Sequence, residues 1–374
     1  MRQPIASLIL AAVIVISSRV EADAMPDFRV PDGFTVEELI VDVPNARAMT
    51  LGDRGTLFVS TRRAGKVYAV RGALGGNPEV VTIIDDLTMP TGIAFHEGDL
   101  YIAEIDRLLK IPDVESRLDA PGEPVVVDPA LPVKGKLHAW KYIAIGPDDK
   151  LYISLGAPCN ICDEPDLTVM LRMNADGSER EVYAHGIRNS VGFDWAPDSG
   201  ELWFTDNGRD MLGDDIPPCE LNRISAVGEH FGFPFCHGAD VVDPKLGELG
   251  SCSESTAPAQ ELDPHSAPLG MRFYTVDMFP ASYRNHVFIA EHGSWNRSKS
   301  AGKTGYRVSL VRVDDGRAIA YETFMEGFLV GDDEEVIGRP VDVMVAPDGA
   351  LLVSDDRRGA IYRVSYDVGA AQRN

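Results

Sequence analysis

Basic residues are scarce in this chain: 35 Lys and Arg stand against 58 Asp and Glu in 374 residues, leaving a formal net charge of −23. A surface with that field repels phosphate backbones, which speaks against nucleic acid as a partner. Long apolar runs are missing too. The longest, Ile5 to Ile16, is too short to span a bilayer and follows the positive Arg2. It ends at Ser17-Ser18-Arg19, and Ala22-Asp23-Ala24 offers small residues for cleavage. Residues 1–24 are therefore expected to be a signal peptide without a lipid-anchoring Cys, and residues 25–374 a single exported domain, periplasmic or secreted, with no membrane span. Two catalytic signatures are absent as well. No Gly-x-Gly-x-x-Gly unit joins a strand to a helix, which argues against a nicotinamide fold, and no Gly-x-Ser-x-Gly elbow supports a serine hydrolase.

Cysteine is sparse, with five residues. Cys159-Asn-Ile-Cys162 is followed by Asp163 instead of His, so covalent haem attachment is excluded, and no second pair completes a zinc site. In an oxidising compartment Cys159/Cys162 and Cys236/Cys252 read as disulfides, leaving Cys219 as a free buried thiol.

Helical periodicity is also missing; what fills the chain is a repeat. A short β-branched and aromatic strand recurs at Leu57, Leu100, Leu151, Leu202, Val287 and Leu351, mostly after a Gly/Asp turn such as Pro147-Asp148-Asp149 or Pro347-Asp348-Gly349. A further strand follows in most units, as at 169–173 and 307–313. Six similar units of short strands predict an all-β, six-bladed β-propeller, since blades close radially and leave only short, protected edges. A sandwich does not predict six similar units. Insertions at 206–220, 231–268 and 291–305 read as structured loops gathered on one face.

In a propeller, residues just before each innermost strand meet on one rim near the axis. Those positions hold Arg47, His138 with Lys141, Arg188-Asn189 and Arg339. A cationic cluster in so acidic a chain suits an anion, and Arg matches carboxylate or phosphate geometry. The loops after the second strands reach the same rim. Thr205-Asp206-Asn207-Gly208-Arg209-Asp210 with Asp214-Asp215 is oxygen-rich, as Ca²⁺ requires, and Glu291 to Arg297 brings His292, a flat Trp295 and Asn296. His138 is the candidate general base.

At these residues the sequence resembles the exported pyrroloquinoline quinone (PQQ)-dependent sugar dehydrogenases, in particular their sorbosone-dehydrogenase-like branch. The resemblance rests on His185 to Asn189, Leu202 to Arg209 with Gly213-Asp214-Asp215, His230 to Pro234, Gly270 to Tyr274, Glu291 to Arg297 and Gly338 to Asp342. It implies that His138 takes the proton of a sugar hydroxyl while hydride passes to the quinone. It further implies that Arg188, Asn189 and Arg339 contact PQQ, with Arg47, His292, Trp295 and Asn296 beside it, and that the backbone carbonyls of Gly208 and Arg209 hold Ca²⁺. Where the glucose-oxidising branch has a second arginine two positions after the one matched by Arg339, this chain has Val341, and Cys219 stands where an acid is common. The expected activity is oxidation of a sugar or sugar-derived aldehyde, with electrons leaving to an external acceptor. Two alternatives stay open: a Ca²⁺-dependent, lactonase-like hydrolase, and a non-catalytic propeller that binds carbohydrate or protein.

Overall fold

The computed structural model describes residues 25–367 and 369; the expected signal peptide lies outside the described residues. Six four-stranded antiparallel sheets surround one axis as a six-bladed β-propeller. Blade 1 is formed by Ala46–Leu51, Leu57–Thr61, Val67–Arg71 and Glu79–Ile84, and blade 2 by Gly92–His96, Asp99–Ala103, Leu108–Ile111 and Val125–Asp128. Blade 3 comprises Ile143–Ile145, Lys150–Ser154, Val169–Asn174 and Glu181–His185. Blade 4 comprises Phe193–Trp195, Leu202–Asp206, Cys219–Ile224 and Gln260–Leu262, and blade 5 Pro268–Phe273, Val287–Glu291, Arg307–Asp314 and Arg317–Met325. Blade 6 takes three strands from Pro340–Val345, Leu351–Asp355 and Ala360–Tyr366, and its outermost strand, Phe34–Ile40, from the other end of the chain. Each strand that recurs in the sequence is the second of its blade.

Burial explains the sequence pattern. Leu57–Thr61, Leu202–Asp206, Val287–Glu291 and Leu351–Asp355 are buried at every position, because neighbouring blades cover both faces. Such strands read as continuous apolar runs, while an outermost strand such as Glu79–Ile84 is buried at one position only and is otherwise exposed or half-buried. The innermost strands crowd the axis: blade 1 touches blades 2 and 6 there, and blade 5 touches blades 4 and 6. Glycine makes the approach possible. A Cβ on Gly192 would lie 2.2 Å from Leu269 O, and one on Gly270 2.0 Å from Asp342 Oδ1.

The ring is fastened by the strand from the N-terminal side. Phe34 on that strand packs edge-on against Phe279 (4.8 Å) and Phe324 (5.1 Å) of blade 5, inside a buried aromatic cluster that includes Phe288 and Tyr362. Disulfides join Cys159 to Cys162 and Cys236 to Cys252, and Cys219 is free and buried. Among the described residues no helix is long and apolar enough to cross a membrane.

Candidate active site

The last residues of the second strands hold the segments that enter the innermost strands. Asp206 ends the second strand of blade 4, and its carboxylate accepts the backbone N–H groups of Arg188 (2.7 Å) and Asn189 (2.6 Å). Asp355 does the same in blade 6, accepting from Arg339 N at 3.0 Å and also from Arg357 N and Arg358 N. Burial pushes both carboxyls up to about 6, against the pull of those N–H donors. In blade 6, Ser354 Oγ donates to Arg47 O at 2.8 Å, and in blade 3 Ser154 Oγ accepts from Tyr142 N at 3.2 Å. Acidic or small residues at strand ends thus fix the backbone from which the rim side chains project. Pairing between the first two strands of blade 1 is also interrupted between Ala46 and Met49, a bulge that contains Arg47.

These segments surround one cavity of about 500 Å³ at the axis. His138, Arg47, Arg188, Asn189, His292, Trp295, Asn296, Arg339 and Gly208 all line it; Arg209 does not. The Arg209 guanidinium turns away to Asp243, which also pairs with His237. Lys141, grouped with the rim cations in the sequence, likewise lies elsewhere. Its Nζ donates to Ala139 O at 2.7 Å, and burial pushes its ammonium down to about 8. Trp295 stands at the mouth, 68% exposed.

His138 sits on the wall, nearly buried, with its backbone in the left-handed region (φ 48°). Its Nδ1 is 2.9 Å from Ala157 O. A carbonyl only accepts, so Nδ1 carries the hydrogen and Nε2 keeps a free lone pair. Burial, then the positive charges of Arg188 and Arg62, push the imidazole down to about 3, so the ring is neutral at physiological pH.

The arginines are held in three different ways. Arg188 is clamped: Nε donates to Asn160 O (3.1 Å), Nη1 to Asn207 O (3.0 Å), and Nη2 to Asn160 Oδ1 (2.9 Å) with Asp210 at 3.4 Å. Arg47 pairs with Asp356 at 3.0 Å. The same carboxylate meets His292 Nε2 at 3.0 Å, while His292 Nδ1 faces Arg339 Nη1 at 3.2 Å. Arg339 can only donate, so His292 Nδ1 accepts and Nε2–H points to Asp356. Burial works against the ionised Asp356, but His292 and Arg47 hold its carboxyl below the usual range. Arg339 itself has only neutral partners: the carbonyls of His292 and Gly293, and Tyr306, whose hydroxyl accepts at 2.8 Å. Its guanidinium also lies 4.8 Å from the Tyr306 ring centroid.

Asp210, from the oxygen-rich stretch, and Cys219 line the cavity too, and four lining residues escaped the sequence reading: Arg62, Arg63, Trp140 and His265. Arg62 and Arg63 directly follow a second strand, the position that marked the Asn207 and His292 loops; the same rule applied to blade 1 finds them. Among the described residues, Arg62, Arg63 and Arg339 have no carboxylate at ion-pair distance, so the cavity carries uncompensated positive charge. Val191, Leu269 and Val341 form an apolar cluster with Trp140 against it, and Leu269 and Trp140 also line the cavity, which places this layer at its floor. Val341 therefore serves as packing where a second arginine would be an alternative.

A profile of the TrAA12-like family matches residues 166–367. A Borreliella burgdorferi protein described as an uncharacterized protein is 33% identical over 375 residues, covering 96% of this chain and 97% of the relative. Among solved structures, the holo form of the pyranose dehydrogenase PQQ domain from Coprinopsis cinerea is similar at 17% identity and a TM-score of 0.73. The match covers 91% of this chain and 98% of that one. The calcium structure of the Trichoderma reesei carbohydrate-active enzymes family AA12 protein has a TM-score of 0.76 at 17% identity, with the same two coverages.

Proposed function

The chain belongs to the TrAA12-like family, and from that premise we propose that it is a quinoprotein dehydrogenase. It oxidises a sugar or sugar-derived aldehyde with PQQ as cofactor and Ca²⁺ beside it. The observation that carries this reading is the free Nε2 of His138 on the wall of a cavity with uncompensated guanidinium charge.

The residues present suit a flat tricarboxylate. The cavity lies in the size range of small-molecule sites. Arg339, ringed by neutral acceptors, gains most from a carboxylate. Arg188, Asn189 and Arg339 would hold the cofactor, with Arg47, His292 and Asn296 fixing its surroundings and Trp295 at the mouth. Among the described residues no group of three or more His, Cys, Asp or Glu could hold a metal ion. A Ca²⁺ ion would instead take backbone oxygens at Gly208 and Arg209 and complete its shell from the bound anion. When bound, PQQ supplies a two-electron acceptor, and Ca²⁺ polarises its quinone carbonyl.

His138 supplies the base. Ala157 O orients the ring through Nδ1–H, and Nε2 accepts the proton of the substrate hydroxyl. The positive field of Arg188 and Arg62 opposes that protonation. Anions bound against those arginines offset their charge and raise the imidazole towards a useful basicity. The clamp on Arg188 keeps its charge in place, and the apolar floor excludes water beneath the reacting atoms.

Export to the periplasm or medium, one catalytic unit over residues 25–374 and an external electron acceptor complete the proposal; the two disulfides fit an oxidising compartment. The test is dye reduction by the purified protein with aldoses and sugar aldehydes. Activity that needs both PQQ and Ca²⁺, and that falls by at least a hundredfold in His138→Asn, supports the reading. Lactone hydrolysis without quinone overturns it.

A further inference from the structure

The cavity holds more positive charge than its proposed cofactor set accounts for, and the surplus lies beside the base. Arg62 and Arg63 come from the loop after the second strand of blade 1 and line the same cavity as His138. The Arg62 guanidinium stacks 4.0 Å above the Trp140 ring, and that ring meets His138 edge-on at 5.5 Å. Arg62 Nε is buried with no partner. Burial, with Arg47 and Arg63 as like-charged neighbours, lowers the Arg62 pKa to about 10. A cation held by an aromatic face, with an unused donor and no carboxylate, is a site awaiting an anion. Arg63 adds a second, exposed guanidinium. On the proposed assignment Arg188, Arg339 and Arg47 serve the cofactor, whereas Arg62 is tied through Trp140 to the residue that must face the substrate hydroxyl.

We propose that Arg62 and Arg63, with Trp140, form a subsite for the anionic group of the substrate, so that this enzyme acts on sugars bearing a carboxylate or phosphate, such as uronic acids or sugar phosphates. The proposal rests on the dehydrogenase reading for its chemistry but not for its binding. The anion draws the sugar to the His138 side of the cavity, and the neutral remainder presents its hydroxyl to Nε2.

Two measurements test it. In the first, the full chain without PQQ is titrated calorimetrically at low ionic strength with galactose, galacturonate and galactose 6-phosphate. At least one charged sugar should bind tenfold or more tightly than galactose, with affinity falling as salt rises. The better of the two identifies carboxylate or phosphate as the source of the anion. In Arg62→Gln/Arg63→Gln that preference should shrink below threefold; Arg63→Gln alone, at an exposed position, should reduce it partly and guards against a folding defect. In the second, PQQ affinity of the double variant is measured by titration and should change less than galacturonate affinity. Equal binding of galactose and the charged sugars, no binding of either charged sugar, or a preference that survives in the double variant overturns the proposal. So does a loss of PQQ affinity matching the loss for galacturonate, which would make these arginines cofactor ligands. If charged sugars bind as stated but the loaded enzyme oxidises none of them, the dehydrogenase reading falls and the anion subsite stands.

Discussion

Replacing His138 by Asn isolates a single titration. Asn tolerates the left-handed backbone at this position (φ 48°), and its amide can keep a donor towards Ala157 O, so the substitution removes a proton site with little change of backbone or packing. The folded imidazole titrates at about 3, against an ordinary 6.5. In the unfolded chain His138 takes up a proton as pH falls through 6.5, while the folded chain refuses it until near pH 3. The unfolded state therefore binds more protons in that window, and the wild type loses stability as pH falls. Between pH 7 and pH 5 the loss from this one group is about 2 kcal/mol, from roughly 1.4 kcal/mol per pH unit below the unfolded pKa. Guanidinium unfolding of both proteins without cofactor, at pH 7 and pH 5, reads it directly. The Asn variant should gain about 2 kcal/mol on the wild type over that interval. Parallel stability profiles would refute the buried, neutral histidine and with it the base we assign.

Glu220 is buried beside Asp206, and burial followed by the charge of Asp206 raises its pKa to about 8. A raised acid stabilises below its unfolded pKa and loses that contribution as pH climbs, so Glu220→Gln should gain on the wild type between pH 5 and pH 8 in denaturant titrations. A Gln amide also gives Asn222 Oδ1, now without a partner, a donor if Asn222 turns over. Arg339→Lys loses the flat stacking on Tyr306 and the fork towards His292 and Gly293. PQQ affinity should drop about tenfold or more in fluorescence titration, and an unchanged affinity would remove Arg339 from the cofactor set. Phe34→Ala, which empties the aromatic contact of the fastening strand, should cost about 3 kcal/mol or more in thermal or denaturant unfolding.

The propeller was legible because its second strands are buried on both faces and so repeat as conspicuous apolar runs. The rim was legible through a single topological rule: Arg47, His138, Arg188 and Arg339 are distant in sequence, yet His138, Arg188 and Arg339 precede an innermost strand and Arg47 lies in the bulge at the start of one. Direction was not legible. Nothing in spacing says that Lys141 turns to Ala139 O, that Arg209 reaches back to Asp243, or that Arg62 lies flat on Trp140, since each depends on which neighbour fills the space. The Asp206 and Asp355 clamps were visible only as acids at strand ends; their purpose emerged once the N–H groups of Arg188 and Arg339 pointed at them.

The strand borrowed from residues 34–40 makes the ring a belt with one buckle, between the first blade and the last. Arg47 lies just beyond that buckle on one side and Arg339 on the other, with Asp356 and His292 linking their side chains. Any guest gripped by both arginines therefore bridges the place where the belt would open first. Occupancy should slow amide exchange in residues 34–40 and 360–366 more than in blades 2 and 3, although none of those outer strands touches the guest.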